Sequence, residues 1–246
     1  MTQGTARERL IACLARRVAG CRHVAVGNAS PIPAAAALLA RALSGGAMTI
    51  YVLGSRANNP YGDGARELFD SAGQGRLDAF FLGGGEIDGA GNVNLVGVGE
   101  HDRPAMRFPG SFGSAYLYFV VPKVILFREE HSRRVLVPRV SFVSAPGTSP
   151  PGVFRPGGPS ALVTGRCAFA FDRARGRFML ESVHAGDSVD SVRADTGFDF
   201  DCPARPPVTP DPSPEELRLI RAQIVAELAE SYPVFARKEW PALAPA

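Results

Sequence analysis

The segment spanning residues 83–114 reads GGGEIDGAGNVNLVGVGEHDRPAMRFPGSFGS and holds nine of the 27 glycines in the chain. An apolar run over residues 77–82, LDAFFL, leads directly into it and predicts a strand. Glycine lets backbone N–H groups approach a ligand closely, and the carboxyl ends of strands in an open α/β sheet are where ligands usually bind. The pattern therefore leaves two interpretations: a ligand-binding segment, or a glycine-rich surface hairpin without chemistry.

The sequence before this segment alternates between helical and strand patterns. Residues 5–18 predict an amphipathic helix, and residues 23–27 a short buried strand. A helix over 32–43 follows, with Ser30 as the expected cap. A second strand over 48–53 completes the alternation, which is typical of a parallel sheet.

The sequence after the glycine-rich segment continues to mix helices and strands. Further helices are predicted over 64–72, 115–118, 187–195 and 214–231, the last at the C-terminus. Further strands are predicted over 76–82, 123–127, 140–143, 162–164, 167–171, 177–183 and 198–200. The pattern predicts one α/β domain over 1–246, with a mostly parallel sheet flanked by helices and a small antiparallel hairpin region.

Composition excludes several classes of protein. The 246 residues are 46% hydrophobic and 21% charged, and the net charge of +3 is too small to indicate nucleic-acid binding. Four cysteines lack metal-ligand spacing and predict reduced thiols rather than a metal site. No apolar run reaches the ~18 residues of a membrane span, and the charged N-terminus does not resemble a signal peptide. We therefore expect a cytoplasmic protein without membrane or nucleic-acid partners.

Several short motifs occur in an order that carries a family resemblance. Residues 83–94 resemble the GGAQID-x-x-GNVN signature of the B (β) subunits of heteromeric class I CoA-transferases, such as glutaconate CoA-transferase. Residues 107–113, RFPGSFG, are similar to the glycine-rich oxyanion loop of that family. VSAPG at 143–147 and TGFDFD at 196–201 are similar to its VTSPG and TGFDLD motifs. The resemblance spans nearly the whole chain.

The resemblance implies a fold, a substrate and a partner. The fold is that of the CoA-transferase and ribose-5-phosphate isomerase superfamily. The substrate is an acyl-CoA thioester, and chemistry of this type needs neither a metal nor another bound cofactor. The partner is an obligate A (α) subunit, which makes a heterotetramer the expected assembly. Gly110, Ser111 and Gly113 are the expected oxyanion-binding residues, with a simple helix cap as the alternative.

One departure from the family bears on the mechanism. Transferases of this family carry a nucleophilic glutamate just after the second strand, where this chain has Val52, and valine cannot attack a thioester. Three explanations stay open. The chain belongs to the branch of ring-opening CoA hydrolases of steroid breakdown, in which the A subunit supplies the glutamate; Glu86 has taken over the role; or the subunit is a non-catalytic scaffold.

The remaining candidates are polar side chains in the glycine-rich segment. Asn92 and Asn94 are expected to orient the substrate, although an asparagine-containing turn fits them equally. Arg107 is expected to bind a substrate carboxylate, with an ordinary surface role as the alternative. A ligand-binding or regulatory module that senses a phosphorylated sugar or a CoA ester is the second functional hypothesis.

Overall fold

The computed structural model describes residues 4–244. Its helices are α1 (Ala6–Arg17), α2 (Pro31–Leu43), α3 (Gly64–Gly73), α4 (Ser114–Val120), α5 (Val189–Asp195), α6 (Pro214–Leu219), α7 (Val225–Ser231) and α8 (Pro233–Glu239). Its strands are β1 (His23–Val26), β2 (Thr49–Val52), β3 (Ala79–Leu82), β4 (Glu86–Ile87), β5 (Val93–Asn94), β6 (Gly97–Gly99), β7 (Pro104–Arg107), β8 (Lys123–Arg128), β9 (Pro159–Thr164), β10 (Cys167–Asp172) and β11 (Arg177–Val183).

The described chain forms two compact units. The first contains the residues up to Phe81 and those from Pro210 onward, and the second is Leu82–Thr209. The prediction of a single domain over 1–246 stays a prediction. The parallel strand pairs and their flanking helices confirm the α/β class, and the small antiparallel pairs were also expected.

The first unit places three parallel strands side by side, with β1 in the middle. Val26 at the end of β1 aligns with Val52 of β2 on one side and with Phe81 of β3 on the other. All three side chains are buried, as continuous apolar strands of a parallel sheet require. Helix α1 begins at a capping box, in which the Thr5 hydroxyl accepts from the Glu8 N–H and the Glu8 carboxylate accepts from the Thr5 N–H.

Helix α2 is almost entirely buried, and Ser30 occupies the predicted cap position in front of it. Pro31 occupies the first helical position, where the missing N–H has no intrahelical acceptor. The Ser30 side chain makes no capping bond; its hydroxyl donates instead to the Asn28 carbonyl at 3.1 Å. The alanine-rich stretch that follows packs closely against α1, which its small side chains permit.

The C-terminal helical region is confirmed over 214–231, with an irregularity that no local pattern predicted. Residues Ile220–Ile224 widen into a π-helical turn between α6 and α7. Within this turn, Arg221 donates two hydrogen bonds, of 2.7 and 2.8 Å, to the carboxylate of Glu8. The further helix α8 was missed, and the Nε1–H of Trp240 at its end also points at Glu8. Glu8 therefore joins the N-terminal helix to the C-terminal helices.

In the second unit, the strands from β8 to β11 combine one parallel and two antiparallel pairings. Strand β8 pairs with β9 in parallel, and β9, β10 and β11 continue as antiparallel neighbours. The predicted hairpin over 167–171 and 177–183 is confirmed. Residues 145–158 form a long loop whose Gly147 lies against the backbone of Gly91; a Cβ on Gly147 would come within 2.1 Å of the Ala90 carbonyl oxygen.

Two predicted strands of this unit are wrong. Residues 140–143 are irregular: the backbone N–H of Ser141 donates to Glu86 and is therefore not available to a strand ladder, and the Ser141 hydroxyl donates to the same carboxylate. Residues 198–200 are also irregular: Phe198 and Phe200 pack on the ring of Phe169, and only the following residue, Asp201, makes a bridge to β11.

A buried polar network surrounds His131. Its Nδ1 lies 2.8 Å from the Thr164 hydroxyl, and its Nε2 lies 3.0 Å from the Thr196 hydroxyl. Because the Thr196 hydroxyl donates to the Val192 carbonyl, its oxygen accepts from Nε2–H. Nε2 therefore carries a proton. In the neutral ring, which burial favours, Nδ1 accepts from the Thr164 hydroxyl at 2.8 Å, a shorter contact than the 3.3 Å between that hydroxyl and the Cys167 carbonyl.

This network predicts a loss of stability in acid. Burial lowers the pKa of His131, and the charge of Arg166 adds to this effect, while Asp195 and Asp187 oppose it. His131 therefore takes up a proton near pH 6.5 in the unfolded chain but stays unprotonated at that pH in the folded chain. As a result, the free energy of unfolding falls as the pH drops below ~6.5, by up to about 1.4 kcal/mol per pH unit. Urea titrations between pH 7.5 and 5 are expected to show this slope, and it is expected to weaken in His131→Gln but to persist in the exposed-site control His101→Gln. An unchanged slope in His131→Gln would contradict the assignment.

Candidate active site

The glycine-rich segment begins as a short antiparallel hairpin. Glu86 of β4 pairs with Asn94 of β5, as the sequence predicted for this region. The turn is held by Asp88, whose Oδ1 accepts the N–H groups of Ala90 and Asn92 at 3.0 and 3.1 Å. Gly85 is needed for a close approach, because a Cβ there would lie 2.1 Å from the ring of Phe108.

Glu86 is a buried carboxylate that accepts from three neutral donors. The Nδ2 group of Asn94 lies 2.7 Å away, the N–H of Ser141 2.7 Å, and the Ser141 hydroxyl 3.0 Å. Among the described residues, no lysine or arginine forms an ion pair with it. Its oxygen atoms thus fasten the irregular segment around Ser141 to the hairpin.

The side chains of Asn92 and Asn94 are likewise used in hydrogen bonds to neighbouring loops. The Asn92 side chain donates to Asp88 and accepts the N–H of Gly147 at 3.0 Å. Asn94 is fully buried; its amide donates to Glu86 and to the Gly97 carbonyl, and its oxygen accepts from Val96 and Gly97. Both amides therefore hold neighbouring loops to the hairpin.

The predicted oxyanion loop has unusual backbone geometry. Gly110 has φ +99°, and Phe112, a non-glycine residue, has φ +47° with its ring 81% exposed. A bulky residue at positive φ stores strain of about 1–3 kcal/mol, and such strain clusters at functional sites. The Gly110 N–H is already used, since it donates to the Leu95 carbonyl at 2.9 Å.

The backbone N–H groups of Ser111 and Gly113, unlike that of Gly110, have no hydrogen-bond acceptor among the described residues. The turn between them is closed by the Ser114 N–H, which donates to the Ser111 carbonyl at 2.8 Å. Gly113 then caps α4. Two of the three expected donors are thus available to a ligand, and Gly110 contributes the turn that presents them.

Arg107 lies on a shallow cleft of about 30 Å³. The lining residues are Val96, Gly97, Gly99, Glu100, His101, Pro104, Arg107, Ser141 and Phe142. Ser141 connects this cleft to Glu86, and the ring of Phe142 lies 5.5 Å from that of His101. The structure therefore brings Arg107, Ser141 and the Glu86–Asn94 pair into one neighbourhood.

Val52 lies in the first unit, at the last position of β2. Its side chain is 2% exposed, and its N–H donates to the Asn58 carbonyl at 2.8 Å. The sequence between Glu8 and Asp63 contains no acidic residue. The strand end at which the family resemblance implies a glutamate is thus closed by an apolar side chain.

A carboxylate reaches the loop after β2 from a distant part of the chain, which the sequence analysis missed. Glu230 of α7 accepts from the Ser55 hydroxyl and the Arg56 N–H, each at 2.7 Å. Burial alone would raise the pKa of Glu230, but the hydrogen bonds from Ser231, Ser55 and the backbone outweigh it and lower the pKa. The ionised Glu230 carboxylate therefore holds the loop after β2 in place. Ser55 and Glu230 are 175 positions apart, so no local sequence pattern could have predicted their contact.

Comparison with known proteins decides the family. The coenzyme A transferase family model matches residues 4–195. The chain belongs to the coenzyme A transferase family. Within residues 4–244, this CoA-transferase homologue has no cluster of three or more His, Cys, Asp or Glu side chains able to hold a metal ion, and no helix long and apolar enough to cross a membrane.

Two curated relatives of this CoA-transferase homologue are B-type subunits. The B subunit of glutaconate CoA-transferase from Acidaminococcus fermentans is 31% identical over 151 residues, which are 58% of this chain and 56% of the relative. The cholesterol ring-cleaving hydrolase IpdB subunit of Rhodococcus jostii is 29% identical over 163 residues, 63% of this chain and 62% of the relative. The matches thus cover less than two thirds of either relative.

Solved structures extend the similarity over more of the chain. The crystal structure of Rhodococcus jostii RHA1 IpdAB superposes with a TM-score of 0.79 at 26% identity, covering 89% of this chain and 94% of that one. The decarboxylase AibA/AibB superposes with a TM-score of 0.77 at 25% identity, covering 98% and 99%. The CoA-transferase fold implied by the sequence motifs is therefore confirmed.

Proposed function

We propose that this chain is the B subunit of a heteromeric, cytoplasmic enzyme that acts on an acyl-CoA thioester by hydrolysis or ring opening. The A subunit, in a heterotetramer, supplies the catalytic glutamate. The observation that carries the proposal is Val52: a buried valine closes the strand end, and no acidic residue lies near it in sequence. The similarity to the IpdB subunit of a ring-cleaving hydrolase supports the same assignment.

The second unit provides the electrostatic part of the reaction. In thioester hydrolysis, water activated by the partner's carboxylate attacks the carbonyl carbon, and negative charge develops on the carbonyl oxygen. The N–H groups of Ser111 and Gly113 bind this oxygen, while the turn at Gly110 holds both donors in place. The charge then returns to expel the thiolate of CoA. The strain at Phe112 supports a functional role for this loop.

The exposed surface around the cleft beside this loop contacts the acyl group. Arg107 is exposed there and holds a carboxylate of the acyl group, because a guanidinium recognises a carboxylate through two parallel hydrogen bonds. Asn92 and Asn94 act on the substrate through the loops that they fasten, and Glu86 does so through Ser141, which lines the cleft.

A transferase that uses another glutamate of this chain is the main alternative. Glu86 and Glu230 are the candidates, yet each is occupied by several hydrogen-bond donors. Decarboxylation, supported by the similarity to AibA/AibB, would also need no nucleophile on this chain. A third alternative is a non-catalytic subunit, which would use the same loops to bind a ligand but would not convert it.

The test uses the complex formed with the A-type subunit. We expect the complex to consume an acyl-CoA without an added acceptor acid, and borohydride treatment during turnover to leave every glutamate of this chain unmodified in peptide mass spectra. Consumption that depends on an acceptor acid, with a reduced adduct at Glu86 or Glu230, would establish the transferase instead. Loss of CO₂ without CoA release would establish the decarboxylase, and no turnover of any CoA ester would overturn the enzymatic assignment.

A further inference from the structure

A second cleft in the Leu82–Thr209 unit is distinct from the one at Arg107. It has a volume of about 190 Å³, below the ~300–1,000 Å³ of pockets that enclose a whole drug-sized ligand, so it suits a single chemical group. Its lining residues are Gly147, Thr148, Ser149, Val153, Arg155, Gly157, Phe171 and Arg173. No acidic side chain lines it. The two guanidinium groups therefore set its charge.

Arg155 is held in place by neutral partners. Its Nε donates to the Gly157 carbonyl at 3.1 Å and its Nη2 to the Tyr118 carbonyl at 3.0 Å. The guanidinium also stacks over the rings of Tyr118 and Phe119, at 5.3 and 5.5 Å from their centroids. These contacts fix its orientation without neutralising its charge.

Arg173, in the turn after β10, is anchored in the same way. It donates to the carbonyl groups of Gly158, Pro159 and Pro156 at 3.1, 3.3 and 3.4 Å, and also to that of Pro122. Within the described residues, neither guanidinium has a carboxylate partner. By contrast, the neighbouring Arg175 forms an ion pair with Asp201.

Two like charges thus share one cleft, and no carboxylate of the described residues lines it. Burial lowers the pKa of Arg155, and the positive charge of Arg173 lowers it further. An anion in the cleft would relieve the repulsion and meet guanidinium groups that the backbone has already oriented. The hydroxyl groups of Thr148 and Ser149 add donors at the same wall.

We propose that the cleft between Arg155 and Arg173 binds a phosphate group. If the proposed function holds, the source is a phosphate of the CoA ester, either the 3′-phosphate or the diphosphate; the other source is free inorganic phosphate. A phosphate carries two negative charges at neutral pH, which match the two guanidinium groups, and its oxygens accept from the hydroxyl groups as well.

The first experiment measures binding directly, independently of turnover. Adenosine 3′,5′-bisphosphate and inorganic phosphate are titrated into the complex with the A-type subunit, by calorimetry at constant ionic strength. We expect Arg173→Gln to weaken binding of at least one of them at least tenfold. The matched control is Arg175→Gln, which removes the same charge two residues away, outside the cleft, and is expected to change affinity less than twofold.

The second experiment separates the two sources. If the cleft holds the 3′-phosphate, Arg173→Gln weakens CoA binding tenfold but leaves binding of 3′-dephospho-CoA unchanged. Equal weakening of both assigns the diphosphate, and weakening of inorganic phosphate alone assigns the free ion. Arg155→Lys, which keeps the charge, is expected to bind more tightly than Arg155→Gln. The proposal is overturned if the wild-type complex binds neither anion, or if Arg175→Gln weakens binding as much as Arg173→Gln. Binding without turnover would leave the phosphate site standing while the proposed enzyme fails.

Discussion

Ser111→Pro is expected to lower kcat for CoA-ester hydrolysis about 10²- to 10³-fold, the usual effect of removing one oxyanion donor. Proline deletes the Ser111 N–H, and the Ser114 N–H can still donate to the Ser111 carbonyl. Steady-state kinetics of the complex with the A-type subunit provides the measurement.

Ser111→Ala is the matched control, since it keeps the N–H and removes only the hydroxyl. We expect its kcat to stay within about threefold of wild type, well below the 10²-fold effect of a lost oxyanion donor. Thermal unfolding of both variants verifies that each is folded. Equal losses in the two variants would assign the role to the hydroxyl, and full activity of folded Ser111→Pro would remove this loop from the mechanism.

Arg221→Ala is expected to lower the free energy of unfolding by about 2–4 kcal/mol. It leaves the Glu8 carboxylate, 1% exposed, without its main partner, and an uncompensated buried charge is strongly destabilising; the partial exposure of Arg221 itself reduces the value somewhat. Arg66→Ala, which breaks the exposed pair with Asp63, is expected to change stability by less than about 1 kcal/mol. Urea unfolding of both variants tests the contrast.

The pH dependence of this difference follows from Glu8. Burial alone would raise the pKa of Glu8, but hydrogen bonds from Arg221, Thr5 and Trp240 outweigh it and lower the pKa. The wild-type protein therefore gains stability from Glu8 above the unfolded pKa of ~4.5 and loses it as the pH falls further. Without Arg221 the effect of burial dominates, so the gap between variant and wild type narrows in acid. A gap that is constant from pH 7 to 4 would show that lost packing, not charge, causes the destabilisation.

The sequence predicted those elements whose signals are local. Strands β1 and β2 have apolar runs ending at glycine, and the β10–β11 hairpin has a polar turn between two alternating strands, so their periodicity sufficed. The segment 140–143 has an equally apolar pattern, but the N–H groups of Val140 and Ser141 donate to the carboxylates of Asp88 and Glu86, more than 50 residues earlier in the chain. Long-range side-chain contacts of this kind leave no local trace.

In the candidate site, too, the locally determined features were predicted and the long-range contacts were not. The glycine motifs predicted the hairpin and the loop at Gly110, because close backbone approach and positive φ restrict those positions to glycine. They did not show that the Gly110 N–H donates to Leu95, or that Asn94 is buried against Glu86. The cleft between Arg155 and Arg173 was not predicted, because the two arginines lie on separate segments and neither has a distinctive sequence pattern around it.

The anchor formed by Glu8 and Arg221 also has a consequence for synthesis. The first unit needs residues from both ends of the chain, whereas Leu82–Thr209 is continuous. A ribosome therefore releases everything that the second unit needs while helix α2 still lacks the C-terminal helices that cover it. During that interval the nascent chain exposes the apolar surface of α2, so the first unit cannot complete its packing until its C-terminal residues have been synthesised.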